Sequence, residues 1–324
     1  MSKCIFLLFT FFYSLFASIT YGQDKPKKVI LKEVLSIGSE DEDILYQWAG
    51  VTTDLSLNIY VTDSMDYSIK KFNKDGTLLK KVGRRGEGPG EFLAPRLIKY
   101  FNGFLYVTDQ NKPGIQIFDE ELNYRGSIPL RVPVIDFKVL SKSLIAISTF
   151  DPNENSKCIY FYDEKGTLKN KVEYSKFDDM SQSTLSMVEF EIDNQNNFYI
   201  VYTFQDKIEK FDSKGKKIWT KSLLERKEVK MKKPRAGHFQ LPMEVVYKDI
   251  EFDNFGNIYI LGGSWSKNKS RDIYILDKNG NLLHTVTLPE STHCIHIDKE
   301  NNLYSRAGMG TVLKKYRIEY PKLI

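Results

Sequence analysis

The sequence is poor in the residues that announce most chemistries. Three of its 324 residues are cysteine and four are histidine. Cys4 lies ahead of the first apolar run, so it is not a lipid-accepting cysteine behind a leader. Cys158 and Cys294 stand far apart in strand-like stretches, which excludes a disulfide framework and a zinc-type ligand spacing and predicts two buried, unpaired thiols. There is no Gly-x-Ser-x-Gly elbow, and neither thiol has a histidine in a cysteine-protease pattern, although Cys294 lies between His293 and His296.

Long apolar runs are also lacking. Ile5 to Phe16 is shorter than the ~20 residues that a membrane span needs, and polar Gln23-Asp24-Lys25 follows soon after. With Lys3 ahead of it and Thr20-Tyr21-Gly22 behind, this segment reads as an export signal over residues 1–22, cleaved near Gly22; a buried helix is the alternative. The mature chain, 23–324, is then expected in the periplasm or outside the cell, without a membrane span and not as a lipoprotein. No helix-length amphipathic segment and no Pro/Gly/Ser linker interrupts it, so one domain and a monomer are expected.

One-sided charge is absent too. The formal net charge of +5 is too small for a nucleic-acid-binding face, and no nucleic-acid partner is expected. Lys221, Arg226, Lys227, Lys230, Lys232, Lys233 and Arg235 form one basic cluster, diluted by Glu225 and Glu228, whose plain reading is a solvated loop.

What the chain does have is aromatic residues, 13% of it, suited to pleated half-buried surfaces, and an internal repeat. The front half of the unit is a strand, a polar turn and a second strand, as in Phe252-Asp253-Asn254-Phe255-Gly256-Asn257-Ile258-Tyr259-Ile260; copies run from Thr53, Ile192 and Ile297. The back half is a third strand, a tight turn and a fourth strand, as in Ile208-Glu209-Lys210-Phe211-Asp212-Ser213-Lys214-Gly215, with copies at Ile69, Ile159 and Ile273 and a looser one at Ile115. Second-strand centres fall at Tyr60, Tyr106, Ala146, Tyr199, Tyr259 and Tyr304, the spacing of four-stranded propeller blades. The fold class is therefore an all-β, six-bladed β-propeller of antiparallel blades. The last unit runs out of chain after Tyr316, so Val29 to Leu35 is expected to supply its fourth strand and close the ring.

Ile59-Tyr60-Val61-Thr62-Asp63, Ile69-Lys70-Lys71-Phe72 and Gly86-Glu87-Gly88-Pro89-Gly90-Glu91-Phe92, with Leu105-Tyr106-Val107-Thr108-Asp109, resemble the NHL repeat. The whole mature chain looks like the exported NHL-like propellers of Bacteroidetes. That resemblance implies the architecture and leaves activity open, because one fold hosts many functions. Units three to six lack the Gly-Pro-Gly-Glu-Phe ending.

Two site readings follow. If the tight turns share one face, the longer connections lie on the other and gather Arg84, Arg85, Arg96, Arg131, His238, Trp265, Arg271, His293 and Arg306. Arg forks beside a Trp platform would suit an anionic small molecule, a glycan or an acidic protein patch, in a non-catalytic binding or scaffolding role without a cofactor. The plain alternative is solvated loop residues. The second reading takes the alternating polar residues of the innermost strands, Asp136, Glu189, Glu191, Asp249, Glu251 and His296, as a central-channel site for calcium or another divalent cation serving a lactonase-like hydrolase or a lyase. Its plain alternative is pairing with Lys138, backbone amides or water. Gly86 to Gly90 lacks the Lys-Ser/Thr of a phosphate loop and reads as a turn.

Overall fold

In the computed structural model, which describes residues 29–39, 44–149, 156–176, 185–225, 231 and 242–320, the chain forms six four-stranded antiparallel sheets. Blade 1 is β2 to β5 (Trp48–Thr53, Ile59–Asp63, Ser68–Phe72, Leu78–Val82) and blade 2 is β6 to β9 (Pro95–Phe101, Phe104–Asp109, Lys112–Asp119, Tyr124–Ile128). Blade 3 is β10 to β13 (Asp136–Ser141, Leu144–Ser148, Ser156–Tyr162, Leu168–Lys176) and blade 4 is β14 to β17 (Val188–Ile192, Phe198–Tyr202, Ile208–Phe211, Lys217–Lys221). Blade 5 is β18 to β21 (Tyr247–Phe252, Ile258–Gly262, Asp272–Leu276, Leu282–Thr287). Blade 6 combines β22 to β24 (Ile295–Ile297, Asn302–Ala307, Val312–Glu319) with β1 (Ile30–Ile37).

The predicted closure is therefore present: β1 pairs antiparallel with β24, from Ile30 opposite Glu319 to Ile37 opposite Leu313. Inner strands contact one another in the cyclic order β2, β6, β10, β14, β18, β22 and back to β2. A six-bladed β-propeller results, with every predicted second-strand centre on the second strand of its blade. The predicted leader, residues 1–22, lies outside the described residues.

The repeat pattern of blades 1, 4, 5 and 6 is explained by one carboxylate in each front turn. Asp54 accepts the amides of Ser56 and Asn58, the Asn58 side-chain amide and the Tyr60 hydroxyl. Asp193, Asp253 and Asp298 do the same for Tyr199, Tyr259 and Tyr304. The spacing Asp-x-x-x-Asn-x-Tyr is thus a hydrogen-bonding requirement: a buried phenol needs an acceptor, and the turn's amides need one too. The carboxylates are fully engaged in turns.

A second device fixes the loops that enter the inner strands. The Thr-Asp pair ending β3 uses Thr62 Oγ1 to accept Gly50 N–H at 2.9 Å and Asp63 to accept the amides of Tyr46 and Gln47 at 2.8 and 3.0 Å. In blade 2, Thr108 accepts from Leu97 and Asp109 from Leu93 and Ala94. Hydrophobic clusters then lie across the seams between blades, as where Tyr199 and Val201 of blade 4 pack with Ile250 and Ile258 of blade 5. Burial of that apolar surface locks neighbouring blades together and sets the width of the channel.

The Gly86–Gly90 segment is an internal turn. Gly86 N–H donates to Phe92 O, Phe92 N–H to Arg84 O, and Glu91 accepts from Gly88 N–H and Arg84. Gly83 precedes it at φ +105°, where a Cβ would lie 2.9 Å from the fully buried Phe92 ring, so only glycine fits.

Candidate functional site

Each inner strand starts at the long-connection face and ends at the tight-turn face, and a cavity lies at each end of the channel. The larger, about 420 Å³, opens at the long-connection face. Arg96, His293 and Arg306 of the predicted set line it, together with Asp136, Glu189 and Asp249 from the channel set. The smaller, about 210 Å³, is lined by Glu191, Glu251, His296, Lys99 and Lys138 at the other end. The six channel residues are thus divided between two ends.

At the tight-turn end the charges neutralise one another. Glu251 Oε1 receives Lys99 Nζ at 2.9 Å and Glu191 Oε2 receives Lys138 Nζ at 2.8 Å. His296 stands 3.7 Å from Glu251 and 3.0 Å from Thr53 Oγ1. Burial opposes ionisation of Glu251, but Lys99 and His296 outweigh it and hold the carboxyl well below its ordinary range. Burial likewise opposes the charge on Lys138, and Asp136, Glu191 and Glu251 overcome it. Among the described residues no three His, Cys, Asp or Glu side chains come together in a way that could hold a metal ion.

At the long-connection end the charges are segregated. Asp249 accepts the amides of Ile250 and, across the seam, Ile295 at 2.9 and 2.8 Å; Asp136 accepts those of Phe137 and Phe190 in the same way. These two aspartates satisfy N–H groups on the channel-facing edge of the inner strands. Burial and the nearby Glu251 push the Asp249 carboxyl up to about 7. The Glu189 side chain makes no hydrogen bond or ion pair among the described residues, and burial, then Asp136 and Asp249, raise its carboxyl well above the ordinary range.

The cations opposite are held by construction. The Arg306 guanidinium lies 6.0 Å from the Trp48 ring and donates through Nη2 to Met309 O at 2.8 Å. A Cβ at Gly310, φ +105°, would come within 2.6 Å of Arg306 Nε, so that glycine makes room for the guanidinium. The buried Nε has no hydrogen-bond partner. Lys248 Nζ lies 3.2 Å from His293 Nδ1 and 3.3 Å from Thr292 O. Burial, then Lys248 and Arg306, hold the His293 imidazole below its ordinary value, so it is neutral at pH 7. Cys294 is no nucleophile here: burial, with Asp249, pushes its thiol up to about 12.

The remaining predicted residues lie elsewhere. Trp265 is a correction: it is 5% exposed and packs in the blade 4–5 core beside Tyr247 and Tyr274, because residues 263–266 fold back onto Val245 and Val246. It is no platform for a ligand. Arg84 is tied to Glu91, Arg85 stacks 5.8 Å from the Tyr67 ring, and Arg271 Nε donates to Leu288 O at 2.7 Å. Arg131 is exposed and does not line the cavity. His238 and Arg226 to Arg235, Met231 apart, lie outside the described residues. The sequence reading missed Lys99 and Lys248; Lys248 lies next to Asp249 at a bulge of the inner strand, outside the alternation of the carboxylates.

Comparison with known proteins defines the class. A family model described as 6-bladed beta-propeller matches residues 42–96. A gluconolactonase of Xanthomonas campestris is 11% identical, with 90% of this chain and 100% of that one covered at a TM-score of 0.58. A calcium-binding regucalcin of Agrobacterium tumefaciens is 12% identical, with 89% and 95% covered at 0.57. A protein of Bacteroides fragilis described as exported is 11% identical, with 91% and 97% covered at 0.58. At these identities the likeness is one of fold. No curated protein matches the chain in sequence.

Proposed function

We propose that this propeller is an exported binding protein that takes an anionic, polyhydroxylated small molecule in the long-connection mouth of its channel. The observation that carries this reading is Arg306: a guanidinium fixed by Trp48, Met309 O and Gly310, lining an open cavity. The guanidinium spends one donor on Met309 O, and its remaining N–H groups at the cavity wall can take an incoming carboxylate in charge-assisted bonds. Lys248 adds a second cation beside it, while Asp136, Glu189 and Asp249 offer acceptors for sugar hydroxyls. Export rests on residues 1–22 and accords with the description of the Bacteroides fragilis neighbour.

The test is calorimetric titration with gluconate. Binding is expected, weakened about a hundredfold in Arg306→Ala, which corresponds to ~2.7 kcal/mol, with melting unchanged. Absence of binding, or equal binding by the variant, overturns the reading.

A second reading, hydrolase or lyase chemistry with a divalent cation, draws on the raised carboxyls of Glu189 and Asp249 beside Arg96 and on the lactonase and calcium-binding neighbours. Against it, lysines engage Glu191 and Glu251, and the remaining Asp136, Glu189 and Asp249 do not come together as a metal-holding group among the described residues. Thermal stabilisation by calcium chloride that disappears in Glu189→Ala would favour it; identical melting with calcium and with chelator would exclude it.

A further inference from the structure

The mouth has two cationic poles, and their separation follows from the ring. Arg96 stands on the inner strand of blade 2 and Lys248 on that of blade 5, three blades apart in a ring of six and hence on opposite sides of the channel. His293 and Arg306 belong to blade 6 and group with Lys248. The Arg96 side chain makes no hydrogen bond or ion pair among the described residues, and its charge is felt at Glu189 on blade 4. Between the poles, one flank carries Asp136 and Glu189 from blades 3 and 4; the other carries Gln47 and Ser64 from blade 1, neutral and able both to donate and to accept.

We propose that the ligand is a dianion: a polyhydroxylated chain with an acidic group at each end, one seated on Arg306 and Lys248 and the other on Arg96, with its hydroxyls over the carboxylates between. A monoanion leaves one pole uncompensated. It settles on the Arg306 side, because there Lys248 adjoins the guanidinium and two cations stand against the single Arg96. Two acidic groups held at once add their interactions in one binding event. This inference rests on the anion-binding reading of the mouth and goes beyond it in naming the ligand's second charge.

Galactarate and gluconate, six-carbon sugar acids with two carboxylates and one, separate the two claims. Galactarate is expected to bind at least about tenfold more tightly than gluconate at pH 7.5 and low salt. Arg96→Met should bring galactarate down to the gluconate level while changing gluconate itself by less than about threefold, and Arg306→Ala should weaken both. Melting curves of each variant check that the fold is intact. Equal affinities in the wild type, or Arg96→Met weakening both acids alike, overturn the dianion and leave a single-anion site. Failure of both acids to bind overturns the anion-binding reading itself.

Discussion

Asp63→Ala is expected to destabilise the protein by about 3–5 kcal/mol, the range for removing one member of a buried ion pair. Asp63 and Lys70 are almost wholly buried and 2.8 Å apart. The same carboxylate accepts the amides of Tyr46 and Gln47, so the alanine variant leaves two inward N–H groups without an acceptor. Asp66, 2.9 Å from Lys70, retains the lysine and keeps the loss from being larger. Asp63→Asn keeps one acceptor and should recover part of the stability. The midpoint of urea unfolding measures both, and a cost below about 1 kcal/mol for the alanine variant would show that the entry loop holds itself.

Glu189→Gln is expected to act in the opposite direction, and only above the acid range. The folded state raises the Glu189 carboxyl above its unfolded value, so the folded protein binds this proton more tightly than the unfolded chain. Stability is therefore lost as pH rises from the ordinary carboxylate range through the raised value, and Asp249, pushed up to about 7, adds to the same trend. Glutamine carries no charge at any pH. Its variant should melt higher than wild type at pH 8, by less at pH 6, and equally near pH 4. A residue that burdens the folded state and has no partner of its own is what a binding site retains for its ligand. Equal melting at pH 8 would mean that water relieves the carboxylate and that Glu189 carries no such burden.

The blades were legible because their hydrogen-bond chemistry is local. Asp253, Asn257 and Tyr259 lie within seven residues and specify a turn wherever they recur. Closure was legible as well, since a three-stranded last unit needs a fourth: the expected Val29 to Leu35 is observed as Ile30–Ile37. The site was legible only in part, because it is built from residues of all six blades, and sequence spacing gives no distance across a ring. Arg96, His293 and Arg306 were named as parts of a face, but their convergence with Asp136, Glu189 and Asp249 appears only once the inner strands are aligned. Trp265 misled because Gly263-Ser264-Trp265-Ser266 has the composition of an exposed loop, while its amides turn back to Val245 and Val246 and bury the indole. Arg84 had a visible signal, Glu91 seven residues on, across a glycine-rich turn that brings the two together. Lys248 was hidden, because it sits beside Asp249 at a bulge that breaks the alternation which revealed the carboxylates. Ring position makes sense of the two lysines: Lys99 neutralises Glu251, three blades away, whereas Lys248 faces the open mouth.

A crystal of the protein soaked in gluconate at pH 7.5 tests the central claim most directly. The account predicts density across the long-connection mouth, with the carboxylate against the Arg306 guanidinium and Lys248 and the hydroxyls toward Glu189 and Asp249. Gluconate bound elsewhere on the propeller, or an empty mouth at saturating ligand, would contradict it.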